Sequence, residues 1–146
     1  MRTVILLRHA DIDPGPAPYH LPLNAAGQER AQALAHTLGE AGITRIFVSQ
    51  ALRPQQTVAP LVERLGLQTQ STPSPPQAAQ QILAGQEDGV VLVAGHSDTV
   101  PAIIGALGAA APVPILHGHD DLFVVVVAAP DRAEVIRLKY GRPSPA

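Results

Sequence analysis

The 146-residue chain has no cysteine and no tryptophan, and only two tyrosines and two phenylalanines. Without thiols there are no disulfides, thiolate metal sites, iron–sulfur clusters or cysteine nucleophile. Charge is sparse as well. Charged residues make up 15% of the chain, and 10 Lys+Arg against 12 Asp+Glu leave a formal net charge of −2. That balance provides no broad basic surface for nucleic acid or an anionic membrane, and both are excluded as partners. Nine of the ten basic residues are arginine and one is lysine. Discrete anion sites therefore stay open, because a planar guanidinium grips phosphate or carboxylate oxygens in pairs. Long apolar runs are also missing. The first run, residues 4–7, is closed by Arg8, too short for a signal-peptide core, and nothing approaches the roughly 18 residues of a membrane span. A soluble cytoplasmic protein is the expectation.

What is present is enough for a core: 46% of residues are hydrophobic, and a chain of this length suits one domain. We expect a single domain over residues 1–146, with 141–146 a frayed tail. Residues 4–7, 90–94 and 122–129 are continuous Val/Ile/Leu-rich runs, the pattern of strands buried on both faces. Residues 45–49 form a further short strand. Between them, Asn24 is placed to cap a helix carrying Ala31, Leu34, Ala35 and Leu38, ending near Gly39 and Gly42. A second helix is expected over 51–65, burying Val58, Leu61, Val62 and Leu65, with Pro54 in its first turn and Pro60 as an interior kink. A weaker helix covers 77–84 and another opens after His96. Residues 134–140 alternate, with Ile136, Leu138 and Tyr140 on one face and Arg137 and Lys139 on the other. Joined to 122–129 through Pro130-Asp131, they read as an antiparallel hairpin. The expected fold is a three-layer α/β/α sandwich with a mostly parallel central sheet and an antiparallel edge hairpin.

Open parallel sheets bind ligands at the carboxyl ends of their strands. Arg8 and His9 follow the first run, Ser49 and then Arg53 the second, and Gly95, His96, Ser97 and Asp98 the third. Three strand ends thus deliver two histidines and two arginines to one edge. Two guanidiniums suit the equatorial oxygens of a phosphoryl group, and a neutral imidazole can attack phosphorus to give a phosphohistidine. Positive charge from Arg8 and Arg53 is expected to keep His9 neutral. The second histidine can stabilise charge on the transferring oxygens, and the helix opening near Ser97 adds its N-terminal dipole. No metal or organic cofactor enters this scheme.

Residues 6–10, Leu-Leu-Arg-His-Ala, resemble the Arg-His-Gly signature of the histidine phosphatase superfamily, the phosphoglycerate-mutase-like proteins. Leu23-Asn24-Ala25-Ala26-Gly27 with Gln32-Ala33, the Ser49…Arg53…Thr57 element and Gly95-His96-Ser97 are similar to the family's other motifs, in the same order. The resemblance implies that His9 is the phosphorylated nucleophile and that Arg8, Arg53 and His96 complete the phosphate pocket, with Ser97 a phosphate neighbour and helix cap. It implies a phosphatase acting on a phosphorylated small molecule or phosphoprotein. Two departures stand out. Ala10 replaces the usual glycine, and the family's proton-donating glutamate has no counterpart in the short Pro/Gln-rich span 66–88, whose only acids are Glu87 and Asp88. Asp11 and Asp98 are the nearer candidate acids. A weak acid matters least for leaving groups that need little protonation, such as phosphohistidine. Compact members of the family resembling this chain include phosphohistidine phosphatases.

Three other readings stand beside this one. Gly95-His96-Ser97-Asp98-Thr99 resembles a serine-hydrolase elbow, but Thr99 replaces the final glycine and no histidine follows Asp120 or Asp121. His117, His119 and Asp121 form a candidate metal cluster, set against a polar loop that lines the mouth of the site and supplies a contact or an acid. The last is a phospho-ligand binding module without turnover, against which the retained His9 argues. Oligomeric state is not legible.

Overall fold

Alternation within the strand β1 (Arg2–Arg8) divides its side chains between two cores. Val4 and Leu6 join Phe47, Val93, Ile82 and Ile103 on one face, while Ile5 and Leu7 join Ile46, Leu34 and Leu61 on the other. A strand buried on both faces needs helices above and below it, and the chain supplies them. In this computed structural model, which describes residues 1–13, 21–85, 89–110, 118–129 and 132–144, β1 is followed by α1 (Ala25–Leu38), β2 (Ile43–Val48), α2 (Leu52–Leu65) and β3 (Thr69–Ser71). Then come α3 (Pro75–Ala84), β4 (Val90–Gly95), α4 (Thr99–Ala106), β5 (Asp121–Ala129) and β6 (Arg132–Lys139). Helices α1 and α2 cover one face of the sheet, and α3 and α4 the other.

The sheet order is β3-β2-β4-β1-β5-β6. The first four pair in parallel, whereas β5 runs antiparallel to β1 and to β6. The three-layer sandwich with an edge hairpin is therefore the observed fold. Pairing of Leu7 with both Ala94 and Leu122 brings the carboxyl ends of β1 and β4 and the amino end of β5 to one edge. None of the helices described is long and apolar enough to cross a membrane.

Helix boundaries follow local chemistry. Asn24 Oδ1 accepts from Gly27 N–H at 2.8 Å, capping α1, and Gly66 in the left-handed conformation (φ 66°) closes α2. Pro60 lies inside α2 without ending it. Four details depart from expectation. β3 was not anticipated, because its three exposed residues carry no apolar pattern. Val62 and Leu65 are half-buried rather than buried. Ile136 and Leu138 are 50% and 45% exposed, since β6 lies at the sheet edge beyond the helices, and only Tyr140 turns into the core. The tail is anchored as far as Ser144, whose N–H donates to Asp120 Oδ2 at 3.1 Å. Pro130-Asp131, His117, Glu87 and Asp88 lie outside the described residues.

Candidate active site

Backbone pairing sets the site. His9 N–H donates to Gly95 O at 2.9 Å and Ser49 N–H to Ala94 O at 3.2 Å, extending the β1, β2 and β4 contacts one residue past the strand ends. The His9 and His96 rings meet edge to face with centroids 5.5 Å apart. The burial of His9 is nearly complete, at 3% exposure. Its Nδ1 lies 2.8 Å from Ala10 O. A carbonyl only accepts, so Nδ1 carries the proton and Nε2 presents its lone pair. Burial, above all, then the charges of Arg8 and Arg53, lower the His9 pKa to about 3 despite the bond to Ala10. The ring is neutral at physiological pH. Desolvation, more than the arginines expected to do so, keeps it neutral.

Arg53 lies in the first turn of α2, buried, and its Nε has no hydrogen-bond partner among the described residues. Its charge acts on both histidines. Burying a guanidinium nitrogen without a partner is costly, and an anion between the histidines would offset that cost. Arg8 Nη1 donates to Gly118 O at 3.2 Å, and its pKa is lowered by burial and by Arg53. His96 Nε2 shares a hydrogen bond with Ser49 Oγ at 2.9 Å. Burial first and Arg53 second lower its pKa, with Asp98 opposing. His9 and His96 are thus in ring contact, and the charges of Arg8 and Arg53 act on both.

The motif residues between them act as fasteners. Thr57 Oγ1 donates to Arg53 O at 2.7 Å and accepts from Ala10 N–H at 2.8 Å, tying α2 to the loop after β1. Gly27 allows α1 to sit against that loop, because a Cβ there would lie 2.2 Å from Asp11 O. Gly95 lies so close to Thr99 that an added Cβ would meet Thr99 Oγ1 at 2.8 Å.

The remaining sequence candidates are placed differently. Both oxygens of Asp11 face Arg30, at 2.6 and 3.5 Å. Burial raises the Asp11 pKa, but the hydrogen bond and charge of Arg30 outweigh it and leave it below the ordinary value. Asp98 is exposed and its Oδ1 accepts from Thr99 N–H at 2.9 Å. Asp98, rather than Ser97, is thus the N-cap of α4. Ser97 is half-exposed in the loop between His96 and that cap. Asp121 pairs with Arg137 at 3.0 Å and Lys139 at 2.7 Å, and among the described residues no group of three His, Asp or Glu side chains is arranged to hold a metal ion. His119 instead stands beside His9, with ring centroids 5.4 Å apart. Its Nδ1 donates to His9 O at 2.9 Å.

Residues 4–74 match the histidine phosphatase superfamily (branch 1). That match takes in just under half of the chain and includes Arg8, His9 and Arg53. Among solved structures, the protein histidine phosphatase SixA complexed with tungstate is similar at a TM-score of 0.79 and 20% identity, covering 94% of this chain and 96% of that one. The mycobacterial glucosyl-3-phosphoglycerate phosphatase Rv2419c with inorganic phosphate is similar at a TM-score of 0.71 and 16% identity, covering 94% and 95%. In sequence, the chain is 46% identical over 132 residues to the PE-PGRS family protein PE_PGRS11 of Mycobacterium tuberculosis, a match that takes in 88% of this chain and 19% of that protein. The chain thus spans about a fifth of that relative's length. The histidine phosphatase signature ends at residue 74, while His96 and His119 lie beyond it.

Proposed function

We propose that the chain is a metal-independent phosphatase that passes a phosphoryl group through His9. The supporting observation is the hydrogen bond from His9 Nδ1 to Ala10 O, which leaves Nε2 unprotonated and fixed in direction. Nε2 attacks phosphorus, the bond to the leaving group breaks, and the leaving group takes its electron pair. Arg8, Arg53 and His96 surround the histidine and offset the charge on the transferring oxygens. Ser97, at the head of α4, is a further phosphate neighbour. Asp11 acts as a positioning residue, because its carboxylate is held ionised by Arg30. A leaving group that needs little protonation suits this site, and phosphohistidine or another activated phosphoryl compound is the substrate class we favour. A phosphoprotein and a phosphorylated small molecule both fall within that class. We read residues 1–146 as one catalytic domain.

The test is hydrolysis of p-nitrophenyl phosphate in excess EDTA by the wild-type chain and by His9→Gln. Wild-type turnover should persist in EDTA, and the variant should lose roughly 10⁴-fold or more. Turnover that vanishes with EDTA would return attention to the His117/His119/Asp121 loop. Undiminished turnover in His9→Gln would remove His9 from the reaction, and a wild type that binds vanadate without turning over would leave a phospho-ligand binding module.

A further inference from the structure

We infer that His119 is the proton acceptor that activates water against a phosphorylated His9, a step that rests on the phosphatase reading above. The breakdown of a phosphohistidine needs a base near phosphorus, and the carboxylates around the site have other partners. Asp11 faces Arg30 with both oxygens. Asp120 accepts from Lys139 and from Ser144 N–H, Asp121 is held by Arg137 and Lys139, and Asp98 caps α4. His96 already spends Nε2 on Ser49.

His119 is built differently. Its Nδ1–H points at the main-chain oxygen of His9, so Nε2 is the acceptor, for the same reason that fixes the nucleophile. Its backbone N–H donates to Ser144 Oγ at 3.1 Å, and the preceding Gly118 O accepts from Arg8. The ring is therefore referenced to both the nucleophile and its neighbouring arginine. Burial, chiefly, with the charges of Arg8 and Arg30 and against the bond to His9 and the charge of Asp11, lowers its pKa below the ordinary value. It rests as a neutral base at pH 7. His119 also lines a cavity of about 710 Å³ together with Asp11, Asn24, Glu29, Arg30 and Arg142. This space, walled by polar and apolar side chains together, meets the histidine cluster at His119 and is large enough to hold water.

The water oxygen bonds to phosphorus while the phosphorus–Nε2 bond of His9 breaks, and its electron pair returns to His9. The water proton passes to His119 Nε2, inorganic phosphate departs, and His119 gives the proton to solvent through the cavity. The formation of the phosphohistidine does not involve His119, so the two half-reactions respond separately to its loss.

His119→Asn keeps a donor for the His9 oxygen and removes the base, while His119→Gln serves as a second variant. Both are followed by rapid-quench kinetics with p-nitrophenyl phosphate and by alkaline-stable phosphate labelling of His9. We expect a burst of p-nitrophenol stoichiometric with enzyme, accumulation of labelled His9, steady-state turnover lowered roughly 10²-fold, and partial rescue by added imidazole. A purely structural role would lower burst and turnover together without accumulation, and that result in variants that still bind vanadate overturns the assignment. Turnover within a few-fold of wild type in both variants does the same. If the wild type forms no phosphohistidine at all, the phosphatase reading falls and takes this inference with it, a result separable from failure in the variants alone.

Discussion

The parallel part of the sheet and the β5–β6 hairpin deliver residues to the same edge by opposite routes. In β1, β2 and β4 the candidate side chains come at the end of the strand or after it: Arg8 and His9, Ser49 and Arg53, His96. In the hairpin, β5 runs antiparallel to β1, so the residues at that edge come before the strand, and His119 precedes Asp121, where β5 begins. Their electrostatics also contrast. The parallel part gathers cations around two neutral imidazoles. The hairpin pairs Asp120 and Asp121 with Arg137 and Lys139 and neutralises itself. An anion bound as proposed would therefore sit against the first region, with the second as its wall.

Arg30 joins the two regions, and breaking that link is the largest effect we expect on stability. Its Nε reaches Asp11, behind β1, and its Nη1 donates at 2.9 Å to Tyr140 O, behind β6. The side chains are only 4% and 11% exposed. Asp11→Asn should strand the Arg30 charge in a buried position and cost about 3–5 kcal/mol of stability, the usual penalty for removing one partner of a buried pair. Turnover per folded molecule on p-nitrophenyl phosphate should change far less. Denaturant titration together with activity on the same samples checks both. A stable variant that has lost turnover would reinstate Asp11 as the acid.

The sequence made the parallel part readable because strand, chemistry and motif coincide there. A run such as Val-Val-Leu-Val-Ala followed by Gly-His needs no tertiary information to place its histidine. Nothing local in the sequence marks Arg30, since its partners lie 19 and 110 positions away. The same holds for the choice between metal ligand and site wall at His119, which depends on β5 pairing with β1. The exposure of Ile136 and Leu138 was hidden for a related reason. Alternation tells which residues share a face, but not whether a helix covers it.

The histidines also sharpen the contrast through pH. The folded pKa of His9 is about 3 against an ordinary 6.5, so between those values the unfolded chain binds more protons. Its contribution to stability is complete above about pH 6.5 and is lost as pH falls toward 3. The lowered pKa values of His96 and His119 act in the same sense. In the hairpin, burial opposes the ion pairs of Asp121, yet they hold its pKa below 3.8, and its contribution fades only in stronger acid. His9→Gln should accordingly lose less stability than the wild type between pH 7 and pH 4. Parallel stability curves for the two proteins over that range would show that His9 is not held neutral by the fold.

The smallest effect belongs on the outer strand. Leu122, on β5, is 3% exposed, while its partner across the ladder, Leu138 on β6, is 45% exposed. The two lie side by side on one sheet face, and only the first is sealed by the helical layer. Replacing a half-exposed side chain with a β-compatible polar one removes little buried area, and Leu138→Thr should change unfolding free energy by no more than about 0.5 kcal/mol. Leu122→Ala should cost about 2–5 kcal/mol, because it opens a cavity beside Leu7. Urea unfolding of the pair measures the step in burial across a single strand spacing. A large loss for Leu138→Thr would mean that the outer face of β6 is covered in solution, and the hairpin would then be an interface as well as the wall of the site.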